Sequence, residues 1–191
     1  MRLFTAVEIG EQVQAALGDL IAELRLRAER SAPRAKVTWV VPGRAHLTLR
    51  FIGEVDDERG ARIVAALRAP LAMAPFEVRW GGLGAFPARG SPRVLWAGIA
   101  EGGEALAHAE LLVSSRLLAL GIPGDDRPYM PHLTLARIRE AAGLRASALF
   151  DGLSPHLGAT SLDAITLFQS TLSPKGPAYT VLQRTYFERA G

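Results

Sequence analysis

The tetrapeptide His-Leu-Thr-Leu occurs twice in this chain of 191 residues, once in each half, at residues 46–49 and 132–135. Both copies lie in segments whose alternating polar and apolar residues are typical of β-strands. Side chains two positions apart on a strand point the same way, so each copy presents a histidine beside a threonine and buries two leucines behind them. If a pseudo-twofold axis relates the two halves, the two His–Thr pairs converge on one cleft.

The rest of the sequence predicts strands that alternate with helices. Apolar residues at helical spacing predict helices over residues 11–30, 104–120 and 144–153, and another that begins after Asp56 or Asp57. Strand patterns occur at residues 2–9, 37–41, 46–52, 76–80, 94–99, 132–138, 161–172 and 179–187. Glycine and proline predict loops at residues 81–92 and 121–131 and a turn at residues 173–177.

Many of the predicted strands are joined by connections too short for a helical crossover. Short connections favour antiparallel pairing, because parallel neighbours need a long crossover. No low-complexity segment or extended linker divides the chain into independent domains. We therefore expect an antiparallel α+β arrangement in which residues 1–191 form one domain with two lobes.

The composition excludes several kinds of site. The chain has no cysteine, which excludes disulfides, a thiolate nucleophile and cysteine-based zinc or iron–sulfur centres. The four histidines show no H-x-H or H-E-x-x-H pattern, so no metal site is expected. The apolar stretches are too short to span a membrane and the first residues do not resemble a signal peptide, so a cytoplasmic protein is expected. The net charge of +3 is compatible with a polyanionic ligand without requiring one.

The paired histidines and threonines suit chemistry at phosphorus. Histidine titrates near physiological pH, so of His46 and His132 one can be neutral and take a proton while the other is protonated and gives one. Thr48 and Thr134 can donate hydrogen bonds to the non-bridging oxygens of a phosphate and stabilise charge in the transition state. Such a set requires no metal. A single His-x-Thr pair is commonly structural, whereas a second copy in the other half favours a shared site.

Five segments, in order along the chain, resemble one known family. They are RLFTAVEI, HLTLRFIGEV, GLGAFPARGSPRVLWAGI, RPYMPHLTLARI and LFQSTLSPKGPAYTVL. The two His-x-Thr-x motifs within them resemble those that define the two-histidine phosphoesterase superfamily. More closely, the chain resembles the bacterial and archaeal RNA 2′,3′-cyclic phosphodiesterases, historically called 2′-5′ RNA ligases (the LigT or ThpR group), and the resemblance runs from end to end.

The resemblance implies a bilobal fold with two pseudo-symmetric lobes around a central groove, each lobe having an antiparallel sheet, flanking helices and one motif on an inner strand. It implies hydrolysis, without metal or cofactor, of a 2′,3′-cyclic phosphate on an RNA end or cyclic nucleotide to a 2′-phosphate. The reverse joining of RNA through a 2′-5′ bond is also attributed to this family. His46 and His132 carry over as the acid–base pair, and Thr48 and Thr134 as phosphate donors. Because the 3′ oxygen must leave, we expect His46 to be the acid and His132 the base.

Three further residues are candidates for substrate binding. Arg137 matches an arginine that the family uses beside the ligand, and its guanidinium can stack on a base or meet a phosphate. Phe4, on the first strand, either offers an aromatic face to a base or packs in the core. Arg50 alternates with the first His–Thr pair, so we expect it on their face, either paired with RNA phosphate or solvated. Arg127 and Tyr129 precede the second motif and are candidate rim contacts.

Two other functions stay open at this point. One is a nucleotide- or RNA-binding module of the same fold without turnover. The other is a two-histidine ribonuclease reached by convergence, which would cut internal RNA linkages and leave 3′ products. His108 and His156 belong to no motif, so we expect structural or surface roles for them. A groove within one chain needs no partner subunit, and a monomer is expected.

Overall fold

A computed structural model of the protein describes residues 1–124, 127–173 and 176–189. Asp125 and Asp126 of the predicted 121–131 loop, and Pro174 and Lys175 of the predicted turn, lie outside the described residues. The strands are β1 (Arg2–Glu8), β2 (Lys36–Trp39), β3 (His46–Glu54), β4 (Leu71–Ala72), β5 (Phe76–Phe86), β6 (Val94–Glu101), β7 (Leu133–Glu140), β8 (His156–Leu162), β9 (Ala164–Ser173) and β10 (Gly176–Glu188). The helices are α1 (Glu11–Ser31), α2 (Asp57–Ala66), α3 (Gly103–Leu118) and α4 (Ala146–Phe150), with a short 3-10 helix at Pro42–Arg44.

Within the described ranges, the strands form two sheets of five. The order is β3-β1-β9-β10-β4 in the first sheet and β2-β7-β6-β5-β8 in the second. Every neighbouring pair is antiparallel except β4 and β10, which run parallel. The predicted antiparallel α+β arrangement is therefore confirmed, with β4 as a two-residue strand that the sequence patterns do not show.

The helices follow the sequence patterns closely in their starting points. α1 buries Val13, Leu17, Leu24 and their neighbours at helical spacing. α2 begins after Asp56, whose carboxylate accepts a hydrogen bond of 2.7 Å from the backbone N–H of Arg59, as predicted for a cap. α4 is shorter than the predicted helix over residues 144–153. Among the described helices, none has both the length and the apolar character needed to cross a membrane.

Two helices pack against the sheet to which the strand before them does not belong. α1 follows β1 but packs against β8 of the second sheet and against α4. α3 follows β6 but packs against β3 of the first sheet and against α2. The apolar side chains behind both sheets form one continuous core. It includes the predicted buried leucines of both motifs, Leu47, Leu49, Leu133 and Leu135.

The glycine-rich segment after Trp80 is a strand, so the predicted loop at residues 81–92 is wrong over its first part. β5 continues to Phe86, and Gly84 lies opposite Trp96 of β6. A Cβ on Gly84 would lie 2.0 Å from the Trp96 ring, so the glycine leaves room for the indole to lie across the strand. Glycine within a strand marks such a close approach, which composition alone does not distinguish from a turn.

The predicted strand at residues 161–172 is two strands in different sheets. β8 ends at Leu162 in the second sheet, and β9 begins at Ala164 in the first. The chain crosses between the sheets at Asp163. Residues on both sides favour β structure, so their propensity does not reveal the change of partner strand.

We expect Gly84→Ala to destabilise the fold, because its methyl group would overlap the Trp96 indole. Overpacking of this kind costs roughly 1–3 kcal/mol. Thermal unfolding followed by circular dichroism tests the prediction. Gly124→Ala is the matched control, because a Cβ at Gly124 meets no described atom within 4 Å. Equal melting temperatures for the two variants would contradict this explanation.

Candidate active site

The two motifs lie on strands that meet at the junction of the sheets. His46 is the first residue of β3, and His132 immediately precedes Leu133, the first residue of β7. β3 is the outermost strand of its sheet and contacts β7 of the other sheet. In hydrogen-bonding order β7 is an inner strand, as the resemblance implies, whereas β3 is an edge strand. The edge position brings the first motif next to the second.

A β-bulge interrupts the alternation of β3 just after the motif. Two adjacent residues of β1 lie opposite Thr48 and Arg50, so Leu49 is an extra residue without a partner. A bulge of this kind resets the alternation of side chains along its strand. Phe51 therefore points to the same side as Thr48, and Arg50 points to the other side.

The prediction that Arg50 shares the face of His46 and Thr48 is wrong, because the bulge turns the side chain into the protein. The side chain is only 7% exposed. Its Nη2 donates a hydrogen bond to the carbonyl oxygen of Pro123. Arg50 is thus not a solvated arginine, and its side chain lies on the side of β3 away from His46 and Thr48.

The second motif strand has a bulge at the equivalent place. Two adjacent residues of β6 lie opposite Thr134 and Ala136, so Leu135 is the extra residue. Arg137 thereby returns to the side of Thr134 and is exposed, whereas Ala136 is fully buried. The two motif strands consequently share one plan, in which the fifth residue after each histidine, Phe51 or Arg137, faces the groove.

Each histidine is held by a backbone carbonyl two residues before it. His46 Nδ1 lies 3.0 Å from the carbonyl oxygen of Arg44, and His132 Nδ1 lies 2.7 Å from that of Met130. A carbonyl only accepts hydrogen bonds, so we assign the ring hydrogen to Nδ1 in both neutral imidazoles. Nε2 is then the nitrogen of each ring that is left to exchange a proton with a ligand.

Aromatic side chains pack around His46. Its ring centroid lies 4.9 Å from that of Phe4 and 5.0 Å from that of Tyr179, which meets it edge-on at 88°. Phe4 in turn stacks on Phe168 at 5.3 Å. Phe4 is 4% exposed and packs with Ala6 and Phe168 in a small cluster apart from the main core, so in the free protein it has no open face for a base. The Phe4 ring packs against the His46 ring, with an angle of 31° between the two ring planes.

His132 has a similar aromatic setting. Phe86 meets its ring edge-on at 83° with centroids 5.1 Å apart, in the same manner as Tyr179 meets His46. Trp96 lies 6.2 Å away and is tilted. The close approach of Gly84 to Trp96 described above therefore shapes the surroundings of the second histidine. Both imidazoles are confined by rings that restrict their rotation.

Burial lowers the pKa of both histidines. For His46 and for His132 the largest cause is desolvation, which disfavours the charged ring. The hydrogen bonds to the Arg44 and Met130 carbonyls oppose this effect and raise each pKa. The positive charge of Arg137 lowers both pKa values further, so one guanidinium lies within electrostatic range of both rings. The contact between β3 and β7, and the return of Arg137 to the side of Thr134, place His46, His132 and Arg137 at the same junction of the two sheets.

Thr48 and Thr134 are half-buried on the groove side of their strands. Each hydroxyl lies two positions from its histidine and can donate to an oxygen of a bound anion. Across residues 1–124, 127–173 and 176–189, no cluster of three or more His, Asp or Glu side chains could hold a metal ion. The histidines and threonines of the groove offer proton transfer and hydrogen bonding.

Sequence reasoning misses Phe51, which is 58% exposed and lies 6.2 Å from Phe4 by ring centroids. Aligning HLTLRF with HLTLAR pairs Phe51 with Arg137, and this comparison of the two copies was the available signal. The candidate rim contact Tyr129 is half-buried, and its hydroxyl donates to the Thr48 carbonyl oxygen at 3.5 Å. Burial raises the pKa of Tyr129. Arg127 is exposed.

Known proteins are similar to this chain in both sequence and fold. The model of the LigT like Phosphoesterase family matches residues 12–96 and 102–179. The RNA 2′,3′-cyclic phosphodiesterase of Archaeoglobus fulgidus is 34% identical over 183 residues, which cover 96% of this chain and 98% of that protein. The RNA 2′,3′-cyclic phosphodiesterase of Thermus thermophilus is 39% identical, in an alignment that covers 96% of this chain and 89% of that protein.

Solved structures agree with this relationship. The crystal structure of TT0787 of Thermus thermophilus has a TM-score of 0.80 at 33% identity and covers 100% of both chains. The structure of E. coli LigT complexed with 3′-AMP has the same fold, with a TM-score of 0.71 at 22% identity over 98% of each chain. These matches confirm the resemblance found in the five segments. The chain belongs to the LigT-like phosphoesterase family.

Proposed function

We propose that this protein is an RNA 2′,3′-cyclic phosphodiesterase, which converts an RNA end with a 2′,3′-cyclic phosphate to a 2′-phosphate. The observation that carries the proposal is the matched presentation of His46 and His132. Each ring is held at Nδ1 by a carbonyl and confined by aromatic neighbours, and Arg137 acts electrostatically on both. The names of the relatives from Archaeoglobus fulgidus and Thermus thermophilus support the substrate class.

In the proposed reaction, neutral His132 takes a proton from water through Nε2 while the water oxygen attacks phosphorus. The bond between phosphorus and the 3′ oxygen breaks, and protonated His46 gives its Nε2 proton to that oxygen. The RNA end then carries a 2′-phosphate and a 3′-hydroxyl. His132 holds one proton more and His46 one fewer, and exchange with solvent restores the pair. If the 5′-hydroxyl of a second RNA replaces water, the same step forms a 2′-5′ linkage.

Thr48 and Thr134 serve as donors to the non-bridging oxygens, where negative charge grows in the transition state. The general acid, the general base and the oxyanion donors all come from side chains of one chain. The proposed reaction therefore uses no metal ion or cofactor, and we expect the monomer to be active.

Substrate binding helps to set the protonation states that this reaction needs. Burial lowers the pKa of both imidazoles in the free protein and so favours their neutral form, which suits the base. The acid must be protonated, and a bound phosphate supplies the negative charge that raises the pKa of the nearby ring. Protonation of His46 is thus coupled to arrival of the substrate.

Phe51 is the residue that we assign to base stacking. It is exposed on the groove side of β3, on the same face as His46 and Thr48. Aromatic side chains in such positions stack on unpaired bases of RNA. Arg137, at the equivalent place on β7, is assigned to the phosphate groups.

A short RNA that ends in a 2′,3′-cyclic phosphate, incubated with the protein in EDTA, tests the proposal. We expect a 2′-phosphate product, identified by chromatography against 2′- and 3′-phosphate standards. His46→Ala and His132→Ala should each lower kcat by roughly 10²–10⁴-fold, the usual contribution of a general acid or base. His108→Ala, at an exposed position of α3, is the control and should keep the wild-type rate.

Three results would contradict the proposal. Wild-type rates in both histidine variants would show that the two motifs do not take part in the reaction. Tight nucleotide binding without turnover of any cyclic phosphate would support a binding module instead. Cleavage of internal linkages that leaves 3′ products would support a transphosphorylating ribonuclease.

We expect kcat/KM to follow a bell-shaped pH profile with its maximum below pH 6.5, the ordinary pKa of histidine. The reactive pair has one protonated and one neutral ring, so its population is highest between the two macroscopic pKa values. Burial lowers both values, which moves the whole profile to lower pH. Arg137→Met removes a positive charge that lowers both, so both limbs should move to higher pH.

Initial rates at low substrate concentration across the acid and neutral range measure this profile, because kcat/KM reports on the free enzyme. Arg139→Met is the matched control, since Arg139 is an exposed arginine of the same strand. A maximum on the alkaline side of neutrality, or unmoved limbs in the Arg137 variant, would show that these two rings are not the titrating pair.

Phe51→Ala should raise KM for RNA by about tenfold or more, because stacking of one base on an aromatic side chain contributes roughly 1–3 kcal/mol. We expect little change in kcat, since Phe51 does not carry a reacting proton. Leu118→Ala is the control, at a side chain that is 63% exposed on α3. Steady-state kinetics with RNA substrates measure both constants. A KM equal to that of the control would show that Phe51 does not contribute to RNA binding.

A further inference from the structure

Arg50 is a buried cation on the strand that carries the first motif. Its Nε has no hydrogen-bond partner among the described residues, and neither has the hydroxyl of Thr5, the fully buried residue opposite Arg50 on β1. Burying polar groups without partners costs free energy. The equivalent position after the second bulge holds Ala136, which is fully buried. The bulge itself therefore does not require an arginine.

The Arg50 side chain makes a hydrogen bond that links the two motifs. Its Nη2 donates to the carbonyl oxygen of Pro123, in the segment that joins α3 to β7. Met130 lies seven residues further along the same segment, beyond Asp125 and Asp126, which are outside the described residues, and its carbonyl oxygen accepts the hydrogen bond from His132 Nδ1. The strand that begins with His46 is thus tied to the segment that holds His132.

Two further contacts join this segment to the first sheet and its helices. Tyr129 donates to the carbonyl oxygen of Thr48 at 3.5 Å, and Arg59 of α2 donates to that of Gly121 at 3.0 Å. The Arg59 contact is exposed, where water competes for both partners. Arg50 is 7% exposed, so its bond is better shielded from that competition.

We propose that Arg50 is a positioning residue that sets the spacing of His46 and His132 across the groove. The inference rests on the proposed function, because this spacing matters only if both rings act on one phosphate. A displacement of about 1 Å in a catalytic group can lower a rate by about 10²-fold. A shielded tie between the two motifs protects the rate from such displacements.

The test compares Arg50→Met, Arg50→Lys and Arg59→Met with the wild-type protein. Arg50→Met keeps the apolar stem but removes the donors, and it should lower kcat by about 10- to 100-fold with KM little changed. Its melting temperature should be unchanged or higher, because a buried polar group without a full set of partners is replaced by an apolar one. Arg50→Lys keeps one donor and should recover part of kcat. Arg59→Met should keep the wild-type kcat.

A second measurement reads the geometry without turnover. The ring resonances of His132, followed by NMR, should shift in Arg50→Met and stay in place in Arg59→Met, although Arg50 lies on the other motif strand. If Arg50→Met does not fold, Arg50→Lys gives both readings, with smaller changes in the same direction.

The outcomes separate this inference from the proposed function. If Arg50→Met keeps the wild-type kcat and its His132 resonances do not shift, the positioning role is overturned. The proposed phosphodiesterase activity is unaffected by that result. A loss of kcat that only follows a lower melting temperature, or that Arg59→Met shares equally, would overturn the positioning role too. If the wild-type protein shows no turnover, the proposed function fails, and the His132 resonances alone decide whether Arg50 sets the position of that ring.

Discussion

The bulge that follows each threonine determines which side chains reach the groove. Strict alternation would bring Arg50 and Ala136 to the groove face and would turn Phe51 and Arg137 toward the core. The extra residue in each strand is a buried leucine, so burial of apolar surface holds the bulge in place. The same packing that stabilises the two sheets thus gives the groove its aromatic and its cationic side chain.

Opposing effects act on the histidines that this arrangement presents. Aromatic neighbours remove water from each imidazole and favour its neutral form, while the carbonyl at Nδ1 favours the charged form. Desolvation is the larger effect, so the pKa of each ring is lowered. In the proposed reaction, an anionic phosphate between the rings would favour the charged form of the imidazole, as the carbonyls do. Under the proposed mechanism, the ligand itself completes the protonation of the acid.

The features that local sequence determines could be predicted. The two motifs, the buried leucines, the amphipathic α1, the Asp56 cap and the antiparallel arrangement each follow from spacing or from residue type. The features that depend on which strand lies alongside could not be predicted from the sequence. Leu49 looks like any strand leucine until its register with β1 is known, and Gly84 looks like a turn residue until Trp96 lies across it. The burial of Phe4 likewise depends on Phe168, which is distant in sequence.

The two lobes follow the same arrangement of motif and bulge but differ at two positions. The fifth residue after the histidine is aromatic in one lobe and cationic in the other, and the residue before it is Arg50 in one and Ala136 in the other. An RNA end, which is the substrate that we propose, has a base on one side of its ribose and a chain of phosphates on the other, so under this proposal these differences favour one orientation. Attack and departure occur on opposite sides of phosphorus in an in-line displacement. In the proposed reaction, a fixed orientation would present the 3′ oxygen to the same histidine at every turnover and would give the two matched imidazoles distinct roles as acid and base.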